Sequence, residues 1–370
     1  MSNDFSNLPR KDVLPLELRS LYESYGYKKY AMGRFEAYDM YMQNKSFLKG
    51  SGIITFTDYR GRLMALKPDV TMSIVKNTAP DAVEQKLFYC ENVFRSDSAN
   101  RECKEISQVG LEYIGADGVY SEAEVIFLAL KSLETIDENF VLDISHIGYM
   151  VSLLEEIGFS AERVSEVLSE FEKKSINGLT KIAESEGIGE ESIKKLCALC
   201  EMSGDYESML KKMRALCDGA EATAACNELE ALYGVIKSLG MAKNVRLDFS
   251  AAGDTDYYNG LIFKGYVSAV PRAVLAGGRY DSLMKKLGKS QKALGFALYI
   301  GELDRMLESA PTSWDYEAML VYDSAEPKLV AKTVEELRKK YSEVCALREK
   351  PRDIRAKNVY FIKNGRVEEA

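Results

Sequence analysis

Three short stretches hold the side chains with the greatest chemical reach. Asp256-Tyr257-Tyr258-Asn259-Gly260, Gly277-Gly278-Arg279-Tyr280-Asp281 and Gly295-Phe296-Ala297 set phenols and a carboxylate among glycines. Glycine admits a ligand or a second backbone where a Cβ would block it. The combination therefore reads as one pocket floor, with the tyrosines and Asp281 as its polar groups. Upstream, along Gln108-Val109-Gly110-Leu111-Glu112, the strand period puts Gln108, Gly110 and Glu112 on one face. Two hydrogen-bonding side chains flanking a glycine suit a small-ligand floor, and an edge strand facing solvent has the same pattern. Asp69 and Thr71 follow Pro68 and stand where they either cap a helix over 72–77 or reach a ligand.

Other reactive residue types offer less. His146 is the chain's one histidine, so acid–base or metal chemistry would rest on it without a partner; a capping or packing role is expected. Cys197 and Cys200 form the one C-x-x-C, with neither a second pair nor a histidine nearby. They read as small apolar residues on a helix rather than a zinc site. No metal and no cofactor is expected.

The elements that must position these residues alternate in type. Residues 12–26 place Leu14, Leu18, Leu21, Tyr22 and Tyr25 on one helical face, closed by Gly26. Residues 53–66 read as a hairpin around Asp58-Tyr59-Arg60-Gly61, and Pro68 ends its second strand. Residues 87–95 form a strand ending on Arg95, a polar loop takes 96–104, and 106–114 resumes as a strand. An apolar helix covers 122–133. From 148 to 242 the pattern is almost wholly helical, with breaks at Gly158, at 187–189 and at Gly204-Asp205; strand character returns at Val245-Arg246-Leu247-Asp248-Phe249. The helical stretch is thus inserted into a mixed domain. Residues 311–370 form a small unit: a strand over 319–322, a helix over 327–341, and a last strand over 359–362 followed by Asn364-Gly365.

Composition bounds the function classes. The 370 residues are 46% hydrophobic and 29% charged, an ordinary globular balance, with no apolar run near the roughly 20 residues a bilayer crossing needs. The start, Met1-Ser2-Asn3-Asp4, lacks the apolar core of a secretory signal, and seven scattered cysteines fit free thiols in a reducing cytoplasm. A net charge of −8 argues against a general nucleic-acid binder.

In this order, Leu66-Lys67-Pro68-Asp69-Val70-Thr71, Phe94-Arg95 with Gln108–Glu112, and the three glycine–tyrosine stretches resemble the class II aminoacyl-tRNA synthetase core, in its histidyl-tRNA synthetase branch. The resemblance covers roughly residues 10–305. It implies an α+β fold: an antiparallel sheet flanked by helices, usually dimeric. The core would take 1–147 and 243–310, the helical insertion 148–242, and the small α/β unit 311–370. By position, Asp69, Thr71, Arg95, Gln108, Glu112, Tyr257 and Tyr258 correspond to the residues that hold histidine.

The charges that activate an amino acid are another matter. Attack of a carboxylate on the α-phosphate of ATP needs positioned cations, each worth about 3–4 kcal/mol. Where the synthetases carry an arginine ahead of the paired tyrosines this chain has Gly253, and where they carry a second one after the Gly-Phe-Ala turn it has Glu302. The phenylalanine that packs on adenine matches Ile106, and the motif 1 proline matches Gly33. Arg95 is kept. The C-terminal unit is also shorter than an anticodon-binding domain and lacks an evident basic face.

An amino-acid pocket without its ATP clamp resembles the family of ATP phosphoribosyltransferase regulatory subunits, the HisZ family. That implies a non-catalytic, cytoplasmic protein without a tRNA partner. It would form a hetero-octamer with the short-form catalytic subunit, on a dimer of its own, and would help confer feedback inhibition by histidine. Histidine in the pocket and a relic pocket are both open on the sequence, as is a divergent but active histidyl-tRNA synthetase or related amino-acid ligase.

Overall fold

The structure is a computed structural model that describes residues 9–42, 52–79, 83–97, 102–216, 219–251, 257–307, 314–323, 326–351, 353–363 and 365–369. The chain divides into two compact units, Leu14–Asp304 and a smaller one of Arg305–Ala370 with Met1–Val13; each is described by itself.

In the larger unit, α1 (Arg10–Ser24) buries Leu14, Leu18 and Tyr22, and Gly26 turns the chain at φ +82°. Tyr25, expected on the buried face, is exposed, its ring tilted against Phe127 at 6.3 Å between ring centres. It lies beyond the last helical residue, where the 3.6-residue period no longer fixes its direction. After β1 (Lys28–Lys29), β2 (Phe35–Ala37) and α2 (Tyr38–Met42), the expected hairpin forms from β3 (Thr55–Thr57) and β4 (Leu63–Leu66). Asp58 organises its turn by accepting from the Arg60 and Arg62 amides, and Gly61 has the left-handed φ of +77°. With β2 the hairpin makes a three-stranded sheet, order β2-β4-β3.

Pro68 then breaks the strand, and Asp69 caps α3 (Val70–Asn77), accepting from the Met72 amide at 2.8 Å. The long pair β5 (Gln85–Asp97) and β6 (Glu102–Ile114) runs in continuous register from Gln85↔Ile114 to Asp97↔Glu102. This corrects the loop expected over 96–104: pairing of the two strands overrides the low β-propensity of their charged ends, and the connection shrinks to 98–101, outside the described residues. Next come α4 (Val119–Ile136) and β7 (Phe140–His146).

The helical stretch consists of α5 (Ile147–Ile157), α6 (Ala161–Glu172), α7 (Ile176–Ser185) and α8 (Glu190–Cys200), then α9 (Tyr206–Leu216) and α10 (Ala220–Ser238). Gly204-Asp205, read as a break, lies in the strand β8 (Ser203–Asp205), which pairs with β9 (Val245–Asp248). The chain then returns through β10 (Leu261–Val267), β11 (Leu275–Arg279), α11 (Asp281–Lys286) and β12 (Ala293–Tyr299) to α12 (Asp304–Leu307). The main sheet has nine strands in the order β1-β5-β6-β12-β11-β10-β7-β9-β8, antiparallel except for β1/β5 and β7/β9. The apolar side of α4 (Val125, Ile126, Leu128, Ala129, Leu133) is fully buried in this unit, and α4 has contacts with β7, β10 and β12.

The smaller unit is a four-stranded sheet in the order β14-β13-β15-β16, from β13 (Tyr316–Tyr322), β14 (Val344–Leu347), β15 (Ala356–Lys363) and β16 (Arg366–Glu369). Its helix α13 (Pro327–Arg338) opens with proline in the first turn and ends before Tyr341, short of the expected 327–341. Asn364 of the expected final turn lies outside the described residues. No helix among the described residues is long and apolar enough to cross a membrane.

Candidate amino-acid site

Asp69, Thr71, Arg95, Gln108, Glu112, Tyr257 and Tyr258 all line one cavity of about 190 Å³. Four segments converge there: the turn into α3, the strands β5 and β6, the residues ahead of β10, and the β11–β12 pair. Register explains the convergence. β6 lies between β5 and β12, so it is no edge strand, and Gln108 and Glu112 are only 4% and 2% exposed. Gly295 sits directly across from Glu112, and a Cβ there would lie 1.8 Å from Glu112 Oε2. Gly278 likewise leaves room for the Tyr258 ring, 2.6 Å from where its Cβ would stand. The expectation that these glycines serve close approach is met by pocket side chains pressed onto backbone.

Hydrogen bonds fix the carboxylates. Thr71 Oγ1 donates to Glu112 Oε1 at 2.6 Å, and the Tyr280 hydroxyl donates to Glu112 Oε2 at 2.7 Å. Thr71 is thus not a cap. Asp69 is both a cap and a lining residue, so its two readings coexist: Oδ1 takes the Met72 amide while Oδ2 faces Arg95 Nη2 at 3.8 Å. Arg95 Nε also donates to the Pro68 carbonyl at 2.9 Å. Tyr257 stands 4.8 Å from Tyr258 and 6.2 Å from Tyr280, ring centre to ring centre.

Burial dominates the electrostatics. It pushes the Glu112 carboxyl up to about 8 against the opposing pull of the Thr71 and Tyr280 hydrogen bonds, with Asp69 adding repulsion. Asp69 is also raised by burial, and Arg95 works against the rise. Burial, then the neighbouring carboxylates, holds the phenols of Tyr89, Tyr257 and Tyr280 far above the usual tyrosine value, so they act as neutral hydroxyls. The site can grip a small ligand that offers positive or N–H groups to two carboxyls.

Several expectations move. Asp281 does not line this cavity: it accepts from the Ala293 amide at 2.8 Å and faces Arg279 at 3.6 Å. Arg279 in turn is buried against Glu122. Ile106 packs against the core around α3 and β5. Glu302 lies off the cavity, 3.4 Å from Arg272. Gly253, Asp254, Thr255 and Asp256 lie outside the described residues. His146 caps α5, accepting the Tyr149 amide at Nδ1 over 3.2 Å, with Nε2 3.4 Å from Glu228. Cys197 and Cys200 are unpaired on α8, and no described group of histidines, cysteines and acids is placed to hold a metal.

Tyr89 and Tyr299 line the cavity and were missed. The signal was there: Tyr89 has the strand parity of Arg95, and Tyr299 that of Gly295 and Ala297.

Known proteins share this family and fold. Residues 9–303 match the model of a protein family described as histidyl-tRNA synthetase. The ATP phosphoribosyltransferase regulatory subunit of Clostridium kluyveri is 29% identical over 330 residues, covering 86% of this chain and 84% of that protein. A Bacillus halodurans structure described as an ATP phosphoribosyltransferase regulatory subunit/histidyl-tRNA synthetase shares the fold at a TM-score of 0.83, with 22% identity over 95% of this chain and 93% of that one. A chain of the ATP phosphoribosyl transferase (HisG:HisZ) complex of Thermotoga maritima shares it at a TM-score of 0.62, with 18% identity over 78% of this chain and 97% of its own.

Proposed function

The chain belongs to the histidyl-tRNA synthetase family, and from that premise we propose that it is the non-catalytic regulatory subunit of ATP phosphoribosyltransferase, acting at the first step of histidine biosynthesis. One observation carries the reading. The cavity gathers Asp69, Thr71, Gln108, Glu112 and the tyrosines around one space, while Arg95, its one cationic lining residue among those described, is engaged by Asp69 and the Pro68 carbonyl. The relative in Clostridium kluyveri that bears the regulatory name matches over most of its length.

Activation of histidine with ATP is not the chain's task in this reading. With Gly253 and Glu302 at the two positions where the synthetases carry arginines, the triphosphate has lost two contacts worth about 3–4 kcal/mol each. The cavity residues Asp69, Thr71, Arg95, Gln108, Glu112, Tyr257 and Tyr258 bind histidine, and the ligand acts through different affinity for active and inactive assemblies. The partner is the short-form catalytic subunit in a cytoplasmic hetero-octamer. Each regulatory chain also pairs with a second copy. The three-stranded sheet offers that copy an apolar face, with Phe35 and Phe56 58% and 37% exposed and their rings 5.2 Å apart.

The test is reconstitution. The chain mixed with a short-form catalytic subunit should co-elute with it, raise phosphoribosyl-ATP formation, and make that rate sensitive to histidine. Glu112→Ala and Gln108→Ala should weaken the inhibition while leaving assembly intact. Histidine-dependent exchange between ATP and pyrophosphate by the purified chain would overturn the proposal in favour of a working ligase.

A further inference from the structure

The charges around the cavity do not balance where a ligand ring would sit. Asp69 faces the Arg95 guanidinium, but among the described residues Glu112 has only hydroxyl donors, Thr71 on one oxygen and Tyr280 on the other. The remaining described ionisable groups that line this space bring no positive charge: Tyr89 and Tyr299 from the strands, Tyr257 and Tyr258 from the residues ahead of β10. Gly295 and Leu111 backbone close the carboxyl off behind. A carboxylate so enclosed, without a cation, is costly to ionise.

Resting on the reading of the cavity as a histidine site, we propose that the ligand is bound as an ion pair made inside the cavity: Glu112 transfers its proton to a ring nitrogen of the entering imidazole. The step balances. The carboxyl O–H bond breaks, an N–H bond forms on the ring, and carboxylate and imidazolium remain together with no net proton taken from or given to solvent. Thr71 and Tyr280 already donate to the two oxygens that become anionic, so the new charge meets donors in place. The elevated position of the empty Glu112, about 8, lies above the ordinary imidazole value of about 6.5, and supports the carboxyl holding a proton when the cavity is vacant. Transfer is then driven by the pair's mutual attraction at the buried Glu112 carboxyl, and the pair titrates as one unit.

A pH profile follows. Occupancy needs one proton on the pair. Between about 6.5 and 8 the separated partners already hold about one between them, so affinity is flat there. Below that window a proton must leave, above it one must be gained, and affinity falls about tenfold per pH unit on either side.

The experiment uses the full chain and L-histidine. Infrared difference spectra at pH 7, with glutamate carboxyls isotope-labelled, should show a protonated carboxyl band disappear when histidine binds, and the band should be missing in Glu112→Gln. Calorimetry in buffers of different ionisation enthalpy should show close to one more proton taken up by the wild-type chain than by Glu112→Gln at pH 9, and no difference at pH 7. Histidine binding that leaves the band in place overturns this inference alone. Histidine failing to bind at any pH overturns the histidine-site reading and this inference with it. Should Glu112→Gln not fold, the wild-type band decides by itself.

Discussion

Replacing Glu112 by glutamine should make the empty protein more stable at alkaline pH. The carboxyl is 2% exposed, has no cation beside it among the described residues, and is raised from 4.5 to about 8 in the fold. Between those two values the folded chain holds a proton that the unfolded chain has released. Unfolding is then favoured by every rise in pH: the stability present below 4.5 drains away until about 8 and then levels off. At about 1.4 kcal/mol per pH unit, the interval limits the loss to about 5 kcal/mol, with about 3 kcal/mol of it incurred by pH 7. Relaxation and water entry will trim this, so a relative change of about 2–4 kcal/mol is expected between pH 5 and pH 8.5. Glutamine keeps an acceptor for Thr71 and has no charge to lose. Urea unfolding of both chains across this range, without ligand, reads the effect as a gap that widens with pH. Comparing the two chains cancels the titrating groups that do not interact with Glu112; Asp69, which repels it, adds a small remainder inside that range. Parallel stability curves would refute the claim that Glu112 is a buried, unpaired acid.

Three further outcomes follow from the geometry. Gly295→Ala drives a Cβ to 1.8 Å from Glu112 Oε2 and 2.4 Å from the Leu111 carbonyl, so it should cost about 2–4 kcal/mol in chemical denaturation and lower histidine affinity. His146→Ala removes the α5 cap and should cost about 1 kcal/mol, recovered by His146→Asn, because the role is acceptance of the Tyr149 amide. Phe56→Asp on the exposed face of the three-stranded sheet should shift the isolated chain toward monomer in sedimentation, with no change in thermal midpoint beyond that of dissociation.

Much of this was legible in the sequence, for particular reasons. Asp69 follows Pro68 and precedes an apolar helix, which leaves few local geometries, and the cap formed as expected. The hairpin over 53–66 was fixed by its own turn. The seven cavity residues could be named because the resemblance aligned them, and no periodicity brings residue 69 beside residue 257. What escaped was set by long-range pairing. The extent of β5 and β6 depends on each strand having the other, and Glu102 and Asp97 have little strand preference alone. Asp281, a carboxylate beside two glycines and a tyrosine, has the type of a ligand group; only the structure reveals that the Ala293 amide and Arg279 occupy it. Thr71 and Asp69, two residues apart, part company because the helix start turns one onto Glu112 and the other toward Arg95.

The same geometry suits the proposed cavity to sensing on energetic grounds. A fold stabilised at its centre by a paired acid and base gains nothing further from a small cation. Here Arg95 satisfies Asp69, while Glu112 is held neutral by burial at a cost that grows with pH. In the proposed binding mode, a ligand carrying an imidazole into the cavity removes that cost, and so stabilises whichever arrangement of the chain keeps Thr71, Tyr280 and Gly295 closed around Glu112. By linkage, anything that favours the closed arrangement from outside, a partner subunit included, must strengthen ligand binding by the same factor. Regulation through this site therefore needs no catalytic group, only two arrangements of the chain that enclose Glu112 to different degrees.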